Sequence, residues 1–120
     1  MFDLPFDESS LNMGASVYVN GGVVAGVCHS PAGLVNIKVN GEYLVKGKIV
    51  CGLTNAEEEF TGNKDVLPFL LENRLMENGG EFVGVDPWGP NCQVSEHLVT
   101  GQNPASSTLV GQAVLALLNK

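Results

Sequence analysis

The stretch Gly22-Val23-Val24-Ala25-Gly26-Val27-Cys28-His29-Ser30-Pro31 decides how the rest of the chain is read. Six residues from Gly22 to Val27 are apolar or glycine, several are β-branched, and no polar residue interrupts them. A continuous run of this kind suits a strand covered on both faces, as in a parallel sheet. The run stops at Cys28, and Pro31 stands where the first turn of a helix tolerates a missing N–H. Strand, nucleophile-bearing turn, then helix is the elbow of α/β enzymes. It lifts a thiol out of the sheet end, and a following helix N-terminus lowers a thiol's pKa. An adjacent imidazole can take the thiol's proton, and a carboxylate would then orient the imidazole. A buried structural cysteine beside an incidental histidine is the plainer reading of a bare Cys-His pair. The strand–turn–helix context favours the chemical one.

Outward from this stretch the pattern alternates. Residues 1–15 read as a loop leading into a short helix. Ala32 to Val35 reads as a short helix after the turn. Val39 to Val45 alternates around Asn40-Gly41, a tight-hairpin signal. Ile49 to Leu53 is a second buried strand. Thr54 followed three residues later by Glu57 has the form of a capping box opening a helix. Val66 to Met76 carries apolar residues at helical spacing and closes at Gly79-Gly80, with Pro68 tolerated near its start. Phe82 to Val85 is a third short strand. Cys92 to Val94 and His97 to Thr100 flank Ser95-Glu96 as two more. A last helix runs from about Ala105 to Leu118, with Val110, Ala113, Val114 and Leu117 on its apolar face. Alternating strands and helices with buried-type strands imply an α/β layer with a mostly parallel sheet. The first clear element is already a central-type strand, so the sheet is expected to have an open apolar edge.

At 120 residues the chain is read as one domain, 1–120. Its charge of −7 with only 6 Lys+Arg excludes a phosphate-tracking face and an anionic membrane surface, so no nucleic acid and no membrane is expected as partner. Charged residues make up 16%, below the usual quarter or so, which points to surface reserved for a partner subunit. Cys28, Cys51 and Cys92 are too far apart for zinc-site spacing and odd in number. They are read as free thiols of a reduced, cytoplasmic protein. The N-terminus lacks a signal-peptide pattern.

Several of these segments together resemble the PfpI/ThiJ superfamily (class I glutamine amidotransferase-like). Val24 to Leu34 is similar to its A-x-C-H-G-P-x-x-L nucleophile segment, and Tyr43 to Lys48 to the hairpin after it. Gly52-Leu53-Thr54-Asn55-Ala56-Glu57-Glu58 is similar to G-F-T-N-x-E-E, and Leu98 to Ser106 to the closing L-V-T-G-Q-N-P-A-S. The nearest branch is the glyoxalase III-like, heat-shock chaperone-like one. The resemblance implies a partial flavodoxin-like layered fold, the C-terminal half of a family member, without the N-terminal strands and the G-G-H-G loop. It implies Cys28 as nucleophile, His29 as the proton-transfer partner and Glu58 as the acidic third member. It further implies conversion of methylglyoxal or a related small aldehyde, with no metal or organic cofactor. Oxyanion donors supplied by the missing loop are worth about 3 kcal/mol each in other enzymes. The alternatives are a non-catalytic half-fold forming a homodimer through its open sheet edge, and a thiol-based redox or electrophile sensor or chaperone.

Ser30 departs from the family's glycine and is expected to tighten the turn. Cys51 is read as a small core hydrophobe, and Cys92 has no assigned role. Trp88, in a Pro/Gly loop, lines a pocket or packs on the surface. His97 is a surface histidine, Asp86 a turn residue, and Glu57 to Glu59 a solvated acidic helix start.

Overall fold

The computed structural model describes all residues, 1–120. Strand β1 (Val24–Val27) lies parallel to β7 (Leu98–Gly101), in register from Val24 opposite Leu98 to Val27 opposite Gly101. β6 (Cys92–Ser95) adds an antiparallel hairpin on the far side of β7, giving the order β1-β7-β6. β2 (Lys38–Val39) and β3 (Glu42–Tyr43) form the second hairpin. Asn40 and Gly41 at its tip both have positive φ, 55° and 81°, as a type I′ turn requires. β4 (Ile49–Val50) pairs in parallel with β5 (Glu81–Phe82). The α/β class, the parallel ladders and the short hairpins agree with the sequence.

Four helices surround these strands: α1 (Glu8–Val19), α2 (Asn55–Thr61), α3 (Leu71–Glu77) and α4 (Ser107–Leu118). α1 is a full three turns rather than a short helix after a long loop. The Asp7 side chain accepts the Ser10 N–H at 2.9 Å and starts it. Leu11, Ala15 and Tyr18 then face the core at helical spacing, a stripe that serines and Gly14 dilute in the sequence. At Gly14 a Cβ would lie 2.6 Å from the Cδ1 tip of Ile37, so a larger residue there would require that side chain to shift. α3 begins five residues later than its apolar spacing predicts. Leu67 is extended, as the residue before Pro68 prefers, and Leu70 is extended again as the N-cap, so the helix begins at Leu71.

The core comprises Val24, Ala32, Val35, Ile37, Leu44, Val45, Val50, Leu71, Leu75 and Leu98. β1 is not covered on both faces as its composition predicts: Val24 is buried, yet Ala25 is exposed and Val27 half-buried. Its far edge pairs with nothing. Val24 and Cys28 donate their N–H groups toward β7, so alternation aims those of Ala25 and Val27 at the open edge.

Candidate active site

Cys28 sits at the C-terminal end of β1 with φ +65°. A non-glycine residue pays about 1–2 kcal/mol for the left-handed region, and such strain collects at functional turns. Two backbone bonds enforce it. The Cys28 N–H donates to Gly101 O at 3.0 Å, and its carbonyl accepts the Leu53 N–H at 2.9 Å. The strain falls on Cys28 rather than on Ser30. Ser30 opens the next turn, is exposed and has no positive φ, so the expected distortion at that position is absent.

The chain after Cys28 is a single 3₁₀ turn, Ser30–Gly33, rather than an α-helix. Without aligned turns behind it, little helix dipole acts on the sulfur. The thiol's pKa is therefore not lowered, contrary to the sequence expectation. Burial pushes it above the ordinary 9.0, the His29 backbone N–H facing the sulfur pulls the other way, and the carboxylates of Glu57 and Glu58 raise it further. A thiol held protonated is a poor redox sensor.

His29 and Glu58, 29 residues apart, come together: His29 Nε2 lies 2.7 Å from Glu58 Oε2. Glu58 is buried, while the His29 side chain is 37% exposed. A carboxylate only accepts hydrogen bonds, so in this contact the His29 Nε2–H is the donor to Glu58 Oε2, and Nδ1 takes no part in it. Thr61 Oγ1 lies 3.1 Å from Glu58 Oε1 and 2.8 Å from the Glu58 carbonyl, sharing one proton between them. Glu58 directly follows Glu57, the residue that closes the capping box at the start of α2. Thr54 accepts the Glu57 N–H at 3.1 Å, and Glu57 Oε1 accepts the Thr54 N–H at 3.0 Å.

Glu57 is not a solvated member of an acidic run. It is fully buried. Oε1 accepts from Thr54 N, Thr54 Oγ1 and Gln102 Nε2, and Oε2 from Trp88 N and Asn103 Nδ2. Burial alone would raise its pKa, but the bonds from Thr54, Trp88 and Asn103 reverse that and hold it below the ordinary 4.5. Sequence reading missed this role because a capping box explains Glu57 from local spacing alone. The Gln102-Asn103 pair, 45 residues away, was the available signal.

The remaining residues fall as follows. Trp88 is partly exposed and meets Phe60 edge-on, with ring centroids 6.1 Å apart. Cys51 is buried and its N–H donates to Thr100 Oγ1 at 2.9 Å, a core residue as expected. Cys92 is half-buried, His97 is exposed, and the Asp86 carbonyl accepts the Gly89 N–H in a turn. No three His, Cys, Asp or Glu side chains are grouped to hold a metal ion. No helix is long and apolar enough to cross a membrane. The one sizeable depression, about 420 Å³ and lined by Tyr18, Asn40, Glu96 and His97 among others, lies at the opposite end of β1 from Cys28, since His97 O accepts the Val24 N–H. Cys28 and His29 thus stand at an open surface with no cavity walled around them by this chain.

No protein-family model matches the chain. It is 35% identical over 115 residues, 89% of its length, to the glutathione-independent glyoxalase HSP31 of Saccharomyces cerevisiae, of which those residues are 48%. The crystal structure of glyoxalase III from Candida albicans superposes with a TM-score of 0.90 at 30% identity, over 97% of this chain and 52% of that one. A ThiJ/PfpI domain protein from Brachyspira murdochii shares the fold, with a TM-score of 0.69 at 21% identity, over 97% of this chain and 53% of that one. The chain spans about half the length of the curated relatives it matches.

Proposed function

We propose, for a chain related over nearly its whole length to half of a glyoxalase III-type protein of the ThiJ/PfpI superfamily, that Cys28 is the nucleophile of a glyoxalase III-like reaction on methylglyoxal or a related small aldehyde. The observation that carries this reading is the strained Cys28 followed by an imidazole held 2.7 Å from a buried carboxylate. In this reading the Cys28 sulfur adds to the aldehyde carbon, and the thiol proton passes through His29 Nδ1 to the aldehyde oxygen, forming a hemithioacetal. A proton then leaves the former aldehyde carbon and arrives on the neighbouring carbon. The first carbon is oxidised to a thioester, the second is reduced to an alcohol, and no outside oxidant is needed. Water cleaves the thioester, giving the hydroxy acid and free Cys28. Glu58 holds the ring. Because the thiol rests protonated, His29 must act as its base for attack to occur near neutral pH.

The test is methylglyoxal loss and D-lactate formation by the wild-type chain and by Cys28→Ala. Turnover in the wild type that vanishes in the variant supports the reading; equal or absent turnover in both overturns it.

A second reading is favoured by the open edge of β1. A non-catalytic half-fold would pair that edge with a second copy of itself, in a two-fold dimer. The exposed Ala25 and the exposed apolar side chains of the two helices touching β1, Val17 and Val19 of α1 and Leu115 and Leu118 of α4, support it.

A further inference from the structure

Two non-glycine residues near α2 hold left-handed backbone, Cys28 at φ +65° and Trp88 at φ +67°. Both are tied to the segment that begins that helix: Leu53 N–H to the Cys28 carbonyl, and Trp88 N–H to Glu57 Oε2 at 2.9 Å. Glu57 also receives Gln102 and Asn103, and each of these holds the Trp88 loop a second time. Gln102 accepts the Val85 N–H and lies 3.1 Å from the Val85 carbonyl, while Asn103 donates to Gly89 O at 2.7 Å. All buried side-chain polar atoms of the chain are satisfied. Five donors and no acceptor face the Glu57 carboxylate, an arrangement an amide cannot satisfy, because its NH₂ would meet the donors on one side.

We propose that Glu57 is a positioning residue of the Cys28 site: its buried carboxylate is the peg that fixes the Trp88 loop to α2, the helix that presents Glu58 to His29. This rests on the reading of Cys28, His29 and Glu58 as the reacting site. The same carboxylate also acts on the sulfur: burial is the main reason the Cys28 thiol is raised, the His29 N–H on its own turn opposes it, and the charges of Glu57 and Glu58 on α2 add to the rise. A residue that only capped α2 would affect neither the loop nor the thiol.

Trp88 is the chain's only tryptophan, so the loop has its own optical signal. The experiment compares wild type, Glu57→Gln and Glu58→Gln by Trp88 emission, acrylamide quenching and the pH dependence of Cys28 alkylation, mapped by peptide mass. In Glu57→Gln the emission shifts to the red, quenching rises about twofold, and alkylation of Cys28 at pH 8 quickens about threefold as the thiol loses a negative neighbour. In Glu58→Gln the Trp88 signals stay at wild-type values. A folded Glu57→Gln with unchanged Trp88 quenching and an unchanged alkylation profile overturns the proposal. If Glu57→Gln does not fold, Asn103→Ser, which removes one of the two donors on Oε2, is read the same way. A folded Asn103→Ser with wild-type quenching likewise overturns it. None of these readouts needs turnover. Failure of the glyoxalase reading shows instead as absent methylglyoxal consumption with the Glu57 effects intact.

Discussion

Leu53 donates its backbone N–H to the Cys28 carbonyl at 2.9 Å, and this bond joins the end of β1 to the residue before the α2 cap. It ties the strand that carries the thiol to the segment leading into the helix that carries Glu57 and Glu58. The His29–Glu58 contact at 2.7 Å follows from that union, since neither residue's local sequence brings them together.

The strain at Cys28 is measurable as stability. Replacing Cys28 by Gly or by Ala removes the same thiol, but only Gly relieves a φ of +65°. Cys28→Gly is expected to be more stable than Cys28→Ala by about 1 kcal/mol, read from urea midpoints. An Ala variant at least as stable as the Gly variant would show that the turn is unstrained.

The capping box is expected to matter beyond its helix. Thr54→Ala removes the acceptor of the Glu57 N–H and one donor to Oε1, at a cost of about 1 kcal/mol. The start of α2 then loosens, and with it the hold on Glu58. Methylglyoxal turnover, if the chain has it, falls further than the stability loss alone explains. Glu59→Ala, on the exposed face of the same helix, leaves turnover unchanged; an equal loss in both variants would contradict this.

Alkali tests the buried thiols. Burial pushes Cys51 up to about 11 from 9.0. A folded state that holds a proton more tightly than the unfolded chain loses stability as pH rises. The contribution is therefore full below pH 9 and is lost between about 9 and 11. Two units correspond to roughly 2–3 kcal/mol. Unfolding midpoints followed from pH 8 to 11 should fall, and Cys51→Ser should flatten that fall. A wild-type midpoint independent of pH over this range would refute the assignment.

The edge of β1 predicts association. Light scattering across a concentration series is expected to show a species larger than 12.6 kDa, and Ala25→Lys, which sets a charge on the exposed face of the edge strand, should shift it toward monomer. A well-folded wild-type monomer at micromolar concentration would remove the dimer reading.

Much of the fold was legible in order and type. The Asn40-Gly41 hairpin, the Thr54–Glu57 box and the strand before Cys28 are local signals, each read from neighbours in the chain. The misreadings have physical sources. α1 hides its stripe among serines, α3 is delayed by Pro68, and β1 has one face open because less of the chain packs over it than its composition invites. The thiol's pKa was misjudged because tertiary packing half-buries the sulfur, the following turn is a 3₁₀ turn, and two carboxylates stand nearby, none of which a spacing rule conveys.

By itself the sequence determined which residues can react, Cys28, His29 and the neighbouring acids, and where the chain turns, because backbone preference and capping act over three or four residues. Only the tertiary structure decided which acid does what. Glu57 and Glu58 are adjacent in sequence, yet α2 turns one toward Gln102 and Asn103 and the other toward His29. A helix rotates successive side chains by about 100°, and what each then meets depends on segments far away in the chain.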